Sequence, residues 1–250
     1  MNQQSPVVRL SAGVPGEPVR NGRVVLVVGD EQLPLELSVP AGPVTVETLL
    51  PILRGLSSLF SDRATARAAA AGRPISCRAG CGACCRHLVA LAPSEARALA
   101  RLVDAMPESR RTVIRQRFDA ALQRLGDLVE RMPTGTAEER AELSHAYFKL
   151  GIACPFLEDE SCSIHPDRPM ACREYLVSSP AENCRTPRPD NTDKLALDAY
   201  VLPTLVEVEA GGWTPLLLAL RFRDENPEPV PSGEAPAILR EVIGRLVTEA

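Results

Sequence analysis

The chain has 250 residues, 45% of them hydrophobic, and 28 Lys and Arg against 32 Asp and Glu give it a net charge of −4. That length supports a hydrophobic core of its own, so a metal is not needed merely to make it fold. The acidic balance and the lack of a basic run argue against nucleic-acid binding, and no apolar stretch approaches the roughly 20 residues that cross a bilayer.

The start, "MNQQSPVVRL", lacks the charged and apolar regions of a secretion signal. The expectation is a soluble cytosolic (cytoplasmic) protein with no membrane partner, in which thiols stay reduced. "RVVLVVG" reads as a strand, and "QLPLELSV" as a second one, with Leu33, Leu35, Leu37 and Val39 on one face. Gly29-Asp30 makes the turn between them. Pro34 lacks an N–H for a ladder, which assigns the second strand to a sheet edge. From about Val46 the pattern turns helical, with Leu49, Leu53, Leu56 and Phe60 on one stripe, until Gly72-Arg73-Pro74 stops it.

Pro93 suits a helix's first turn, and Leu99, Leu102, Val103 and Met106 continue an amphipathic stripe that Pro107 breaks. A longer helix follows to about Met132, its apolar face written by Ile114, Phe118, Ala121, Leu122, Leu125 and Val129. Thr136 and Glu139 form a capping-box pattern ahead of a third helix that ends near Gly151. The segment from Cys154 to Cys184 reads mostly as loop, with one short helix around Pro169 to Tyr175. A mixed apolar region (Leu195 to Phe222), a proline-rich linker (Glu225 to Pro236) and a last amphipathic helix with Ile238, Val242, Ile243 and Leu246 complete the chain. The last helix reads as a packing element.

Chemistry concentrates in the eight cysteines, all between Cys77 and Cys184. Four of them fall in "CRAGCGACCRH", as Cys77, Cys81, Cys84 and Cys85. The others are Cys154, Cys162, Cys172 and Cys184. A disulfide framework, a zinc site, an iron–sulfur centre and a redox-active thiol pair compete as explanations, and the reducing compartment demotes the first. The segment between the quartets reads as helices, which can return the chain to its starting point and bring the quartets together. A bound centre would then staple two loops with little else to bury. Thiolates select zinc, Cu(I) or iron–sulfur centres over magnesium or calcium. The first quartet misses both paired zinc knuckles and the bacterial ferredoxin run. Side chains of adjacent residues diverge, so Cys84 and Cys85 are expected to serve two centres, or one centre beside a free thiol.

Arginines crowd both quartets: Arg73, Arg78 and Arg86 at the first, Arg168, Arg173, Arg185 and Arg188 at the second. They either favour thiolates and offset a tetrathiolate's charge, or form a solvated surface. "CRAGCGACCR", "CPFLEDESCSIHPDRPMACREY" and the later Cys184 resemble the CxxCxxCC, or YkgJ-like, cysteine-cluster family, a zinc- or iron-chelating domain. The resemblance covers about Ser76 to Arg185 and departs from the family in its first gap, three residues here rather than two, which concerns Cys77. It implies metal chelation by the cysteines. One branch of the family resembles flagellin lysine methylases, for which an iron–sulfur cofactor is expected.

His165 is either a nitrogen ligand or a cap on the turn before Pro166, while Arg86, His87, Arg168 and Arg173 are expected to stand around the ligands. His145 and Tyr175 read as structural. The spacing of Cys77, Cys81 and Cys84 also fits radical S-adenosylmethionine enzymes, but those continue as strand–helix repeats, which this chain lacks. The expected fold is mainly α with a small N-terminal β element (α+β), a helical domain organised around a cysteine-ligated metal centre. Its divisions are a β-hairpin element (1–45), a helical connector (46–73), a cysteine-cluster domain (74–190) with a helical insertion (93–150), an extension (191–224), and a linker with the terminal helix (225–250). The expected function is chelation of iron, as an iron–sulfur centre, or of zinc by up to eight thiolates; the alternative is an iron–sulfur redox or protein-modifying enzyme.

Overall fold

The computed structural model describes residues 6–13, 15–131, 137–188, 190–210, 212–227 and 233–246, with backbone alone at 129–131 and 137–141. Strands β1 (Val8–Ser11), β2 (Val19–Val28) and β3 (Glu31–Pro40) form a sheet in the order β1-β3-β2, and Gly29-Asp30 joins β2 to β3 as a hairpin. β3 is therefore central, not the edge strand that Pro34 suggested. Register explains the exception. The Ser38 carbonyl accepts from Ala12 N on the β1 side, so the even-numbered residues of β3 turn their backbone groups toward β1. Pro34 shares that parity, and β1 begins its pairing one residue later, at Leu35. The missing N–H thus falls where no neighbouring strand needs it.

A short strand β4 (Pro43–Val44) leads into a 3-10 turn at Val46–Leu49, which Thr45 caps by accepting from Thr48 N at 3.4 Å. Helix α1 (Leu50–Ala70) follows, with proline in its first turn. Its exit is closed by Arg73 N to Ala68 O and Gly72 N to Ala69 O, with Gly72 at φ 72°. This pair of bonds satisfies carbonyls left orphaned at the helix end, and glycine supplies the left-handed residue. Leu53, Leu56 and Phe60 of α1 bury against Leu33, Leu35 and Leu37 of the sheet. Helices α6 (Val201–Glu209) and α8 (Ala235–Leu246) close this first core through Val201, Leu205, Ile238 and Val242.

A second core lies among α2 (Pro93–Asp104), α3 (Glu108–Leu125), α4 (Ala137–Lys149) and α7 (Ala219–Glu225). Short strands β5 (Ala90–Leu91) and β8 (Thr214–Pro215) pair beside it. Helix α3 ends seven residues before the expected Met132, because Gly126 takes φ 54° and leaves the α-helical region. A 3-10 turn, Gly126–Arg131, follows. Met132 and the expected capping box at Thr136 and Glu139 lie outside the described residues or side chains. The apolar region from Leu195 resolves into α6, β8 and α7. Of the expected 225–236 linker, Glu225 belongs to α7, Gly233–Glu234 forms β9 paired with β4, Ala235 starts α8, and 228–232 lie outside the described residues.

Two buried carboxylates, Glu95 and Glu174, and the half-buried Glu209 tie the helices together. Glu95 accepts from Ala92 N (3.4 Å) at the start of its own helix and from Met170 N (2.8 Å) at the start of α5 (Met170–Glu174). Glu174 accepts from Val201 N (2.8 Å) at the start of α6, and Glu209 from Ser94 N (3.1 Å) in α2. Each carboxylate meets N–H groups that the helix itself cannot satisfy. The molecule is mainly α with a small β element, and among the described residues no helix is long and apolar enough to cross a membrane.

Candidate metal centre

The two cysteine segments are stitched to each other by hydrogen bonds from backbone and side chain alike. Ser76 N donates to Val177 O (2.9 Å), Cys154 N to Cys85 O (2.8 Å), and His87 Nε2 to Cys184 O (2.8 Å). Within the first loop, Cys81 N to Arg78 O, Cys85 N to Gly82 O and His87 N to Cys84 O make a series of tight turns. Gly82 is required here: a Cβ would lie 2.6 Å from Leu157 Cδ1 and 2.9 Å from Glu160 O. Those atoms belong to the hairpin of β6 (Leu157–Glu158) and β7 (Ser161–Cys162), whose two-residue turn holds Asp159 and Glu160 at φ 47° and 57°. Two non-glycine residues in that region carry strain. Glu160 offsets it by receiving Arg86 at 2.6 Å and Arg185 at 2.9 Å, so the turn is clamped onto the first loop.

All eight cysteines are free thiols; Cys184 is buried and the others are half-buried. They do not group by sequence quartet. Cys77, Cys81, Cys84 and Cys184 pack together with Ala83, Val177 and Tyr175. Cys154 and Cys162 pack instead against the second helical core. Burial, then the charges of Cys154, Cys84 and Cys162, would push the Cys172 thiol well above its ordinary range. Burial likewise raises Cys154 to about 12 and Cys184 to about 11, with Cys84 among the neighbours that add to each shift. Cys84 thus adjoins both groups. Its own thiol is raised first by a hydrogen bond with Cys85, then by burial.

The surrounding cations divide by role. Arg173 donates from Nε to Arg168 O (2.9 Å), and also reaches Pro166 O and Ser58 Oγ, which makes it a clamp on the loop before α5. Arg73 pairs with Asp193 and Arg188 with Asp190. Arg168 differs. Its charge lowers the thiols of Cys77, Cys84 and Cys162, and its Nε is buried without a hydrogen-bond partner. His87 packs edge-on against Phe148 and Tyr175, with ring centroids 5.4 and 5.7 Å away, and burial lowers its pKa. His165 is exposed on the 3-10 turn His165–Asp167. Tyr175 Oη is buried against the Cys184 thiol without a hydrogen bond of ordinary geometry. Sequence reasoning missed Gly82 and Glu160, since nothing local marks a glycine for close approach or a glutamate as a clamp.

In kind, this donor set fits a soft cation: desolvation, then mutual repulsion, favours the protonated thiols of Cys77, Cys154, Cys162, Cys172 and Cys184, a condition that a metal relieves by displacing the protons. In spacing the set is open. Among the described residues, no three His, Cys, Asp or Glu side chains are grouped so as to hold a metal ion. Interlocked loops presenting eight free thiols define a cysteine-cluster module. Residues 76–194 match the model of the CxxCxxCC family, described as a "Putative zinc- or iron-chelating domain". Neither the comparison with curated proteins nor that with solved structures gives a match.

Proposed function

We propose that the domain chelates iron, as an iron–sulfur centre, or zinc, through two overlapping sets of thiols. Cys77, Cys81, Cys84 and Cys184 form one set; Cys154, Cys162 and Cys172 form the other and share Cys84, with Cys85 as its adjacent thiol. The position of Cys84 between both groups carries this reading. Binding would draw the thiols together, displace their protons, and leave Arg168 to offset part of the thiolate charge. Zinc would supply a redox-silent staple, and an iron–sulfur cluster a one-electron centre. Arg86, His87 and Arg173 hold the loops in register around the ligands, and His165 is a further donor within the segment.

One observation favours the enzymatic alternative, an iron–sulfur redox or protein-modifying enzyme: a cleft opens onto Cys84 and Cys172. A saturated structural site has no use for such access. The radical S-adenosylmethionine reading has less support, since α2, α3 and α4 follow Cys84 where those enzymes place strand–helix repeats. The test is purification without oxygen, an absorption spectrum, and iron, zinc and acid-labile sulfide measured per chain. A brown protein with sulfide near iron supports a cluster, and colourless protein with stoichiometric zinc sinks the redox reading. Protein with neither metal, and with disulfides, overturns chelation.

A further inference from the structure

The cleft beside the thiols has a volume of about 440 Å³, within the range of small-molecule sites, roughly 300–1,000 Å³. Its walls come from α4, α5, the chain leaving the first cysteine loop, and the segment around Lys194. Leu88, Ala90, Phe148 and Pro187 make much of that wall apolar, while Cys84 and Cys172 stand at one side. Beside the Cys84 and Cys172 thiols and the Tyr175 hydroxyl, the ionisable lining is Lys194, His87 and His145, and no Asp or Glu among the described residues lines the space. Lys194 has no carboxylate partner among the described residues. The carboxylate next to it, Asp193, is engaged with Arg73 at 3.2 Å and Ser178 at 2.6 Å. The ammonium of Lys194, an exposed residue, rests 4.9 Å from the centre of the Tyr175 ring, which places it at the cleft's edge.

We infer that this cleft binds a small carboxylate with an apolar, ring-sized body, the carboxylate at Lys194 and the body against Phe148, beside Cys84 and Cys172. The apolar walls reward burial of a ring. The unpaired ammonium selects an anion over a neutral analogue of the same shape. His87 is already committed to Cys184 O and fixed between two aromatic rings, so it shapes the wall. His145 lies on the exposed face of α4, where it can add a second donor to the anion. The inference deepens the metal reading by placing a ligand next to the thiols, but it stands on the cleft's own lining.

The experiment uses the full chain, as purified and after chelator treatment, with phenylpropionate, phenylpropanol and propionate as probes in ligand-observed NMR titrations. Metal content is measured on the same samples. Phenylpropionate is expected to bind about fivefold tighter than the alcohol, the order expected for one partly exposed charge pair. Propionate, lacking the ring, binds weakest. Lys194→Gln, an exposed position that tolerates substitution, should remove the preference for acid over alcohol while leaving the metal content unchanged. Equal binding of acid and alcohol, no binding of either, or a preference that survives Lys194→Gln overturns the inference. So does a Lys194→Gln protein that loses metal but keeps the preference, since the lysine would then serve only as counter-charge to the thiolates. Selective binding in protein that never held metal would keep the cleft and sink chelation; metal without binding does the reverse.

Discussion

Cys84 and Cys85 share a peptide bond but not their surroundings: Cys84 packs with Cys77, Cys81 and Cys184, while the Cys85 carbonyl is bonded to Cys154 N. On the proposed arrangement, Cys84→Ser should abolish most metal binding and Cys85→Ser should retain at least half, by elemental analysis of both proteins. Equal losses would show that the adjacent thiols act as one unit. A second residue-scale prediction concerns Glu95, which is 1% exposed and whose pKa burial raises. A carboxyl with a raised folded pKa favours folding while protonated, so its contribution is complete below the ordinary carboxylate range and is lost as pH rises through the folded value. Glu95→Gln should therefore gain stability relative to the native protein at pH 8 but not at pH 4. Urea melts at the two pH values decide it, and a difference that does not change with pH would show that Glu95 is ionised when folded.

The β6–β7 hairpin shows how an element is held by what it packs against. Its turn keeps two non-glycine residues at positive φ, and Gly82 and the Arg86–Glu160–Arg185 bridge hold it in place. Gly82→Ala should cost about 1–3 kcal/mol, because the added carbon meets hairpin backbone as well as the flexible end of Leu157. Denaturant melts measure that cost. Bound metal should fall as well, since Cys162 ends the displaced hairpin and Cys154 precedes it. At this scale the sequence was read well where periodicity is strong, as for α1 and α2. It was misread at Pro34, where the ladder's parity matters, and at Gly126, where one backbone angle ends a helix that the apolar stripe would have continued.

Two apolar cores divide the whole molecule. The sheet, α1, α6 and α8 make one; α2, α3, α4 and α7 make the other, with the cysteine loops packed beside it. The first core contains no cysteine, whereas the loops hold the thiols beside scattered buried side chains such as Ala83, Phe156, Ile164 and Val177. Chelator treatment should therefore raise amide hydrogen exchange in 76–90 and 154–188 and leave Leu53–Phe60 of α1 protected. Exchange rising equally in α1 would show that the centre supports the entire fold. Within the first core, Leu239→Ala should cost about 2–5 kcal/mol, while Val27→Thr, at 57% exposure, should cost under about 0.5 kcal/mol.

By itself the sequence determined the chemistry of this protein: eight thiols in two segments, helices between them, and the residue classes that soft cations require. Those properties reside in side-chain type and in spacing along the chain. Only the tertiary structure decided the grouping, placing Cys184 with the first loop, Cys84 between both sets, Glu160 across the loops, and Lys194 at a cleft whose walls come from four separate segments. The reason is physical: hydrogen bonds such as the His87 ring to Cys184 O and Ser76 N to Val177 O join residues about 100 positions apart, and no local periodicity encodes a pairing made at that separation.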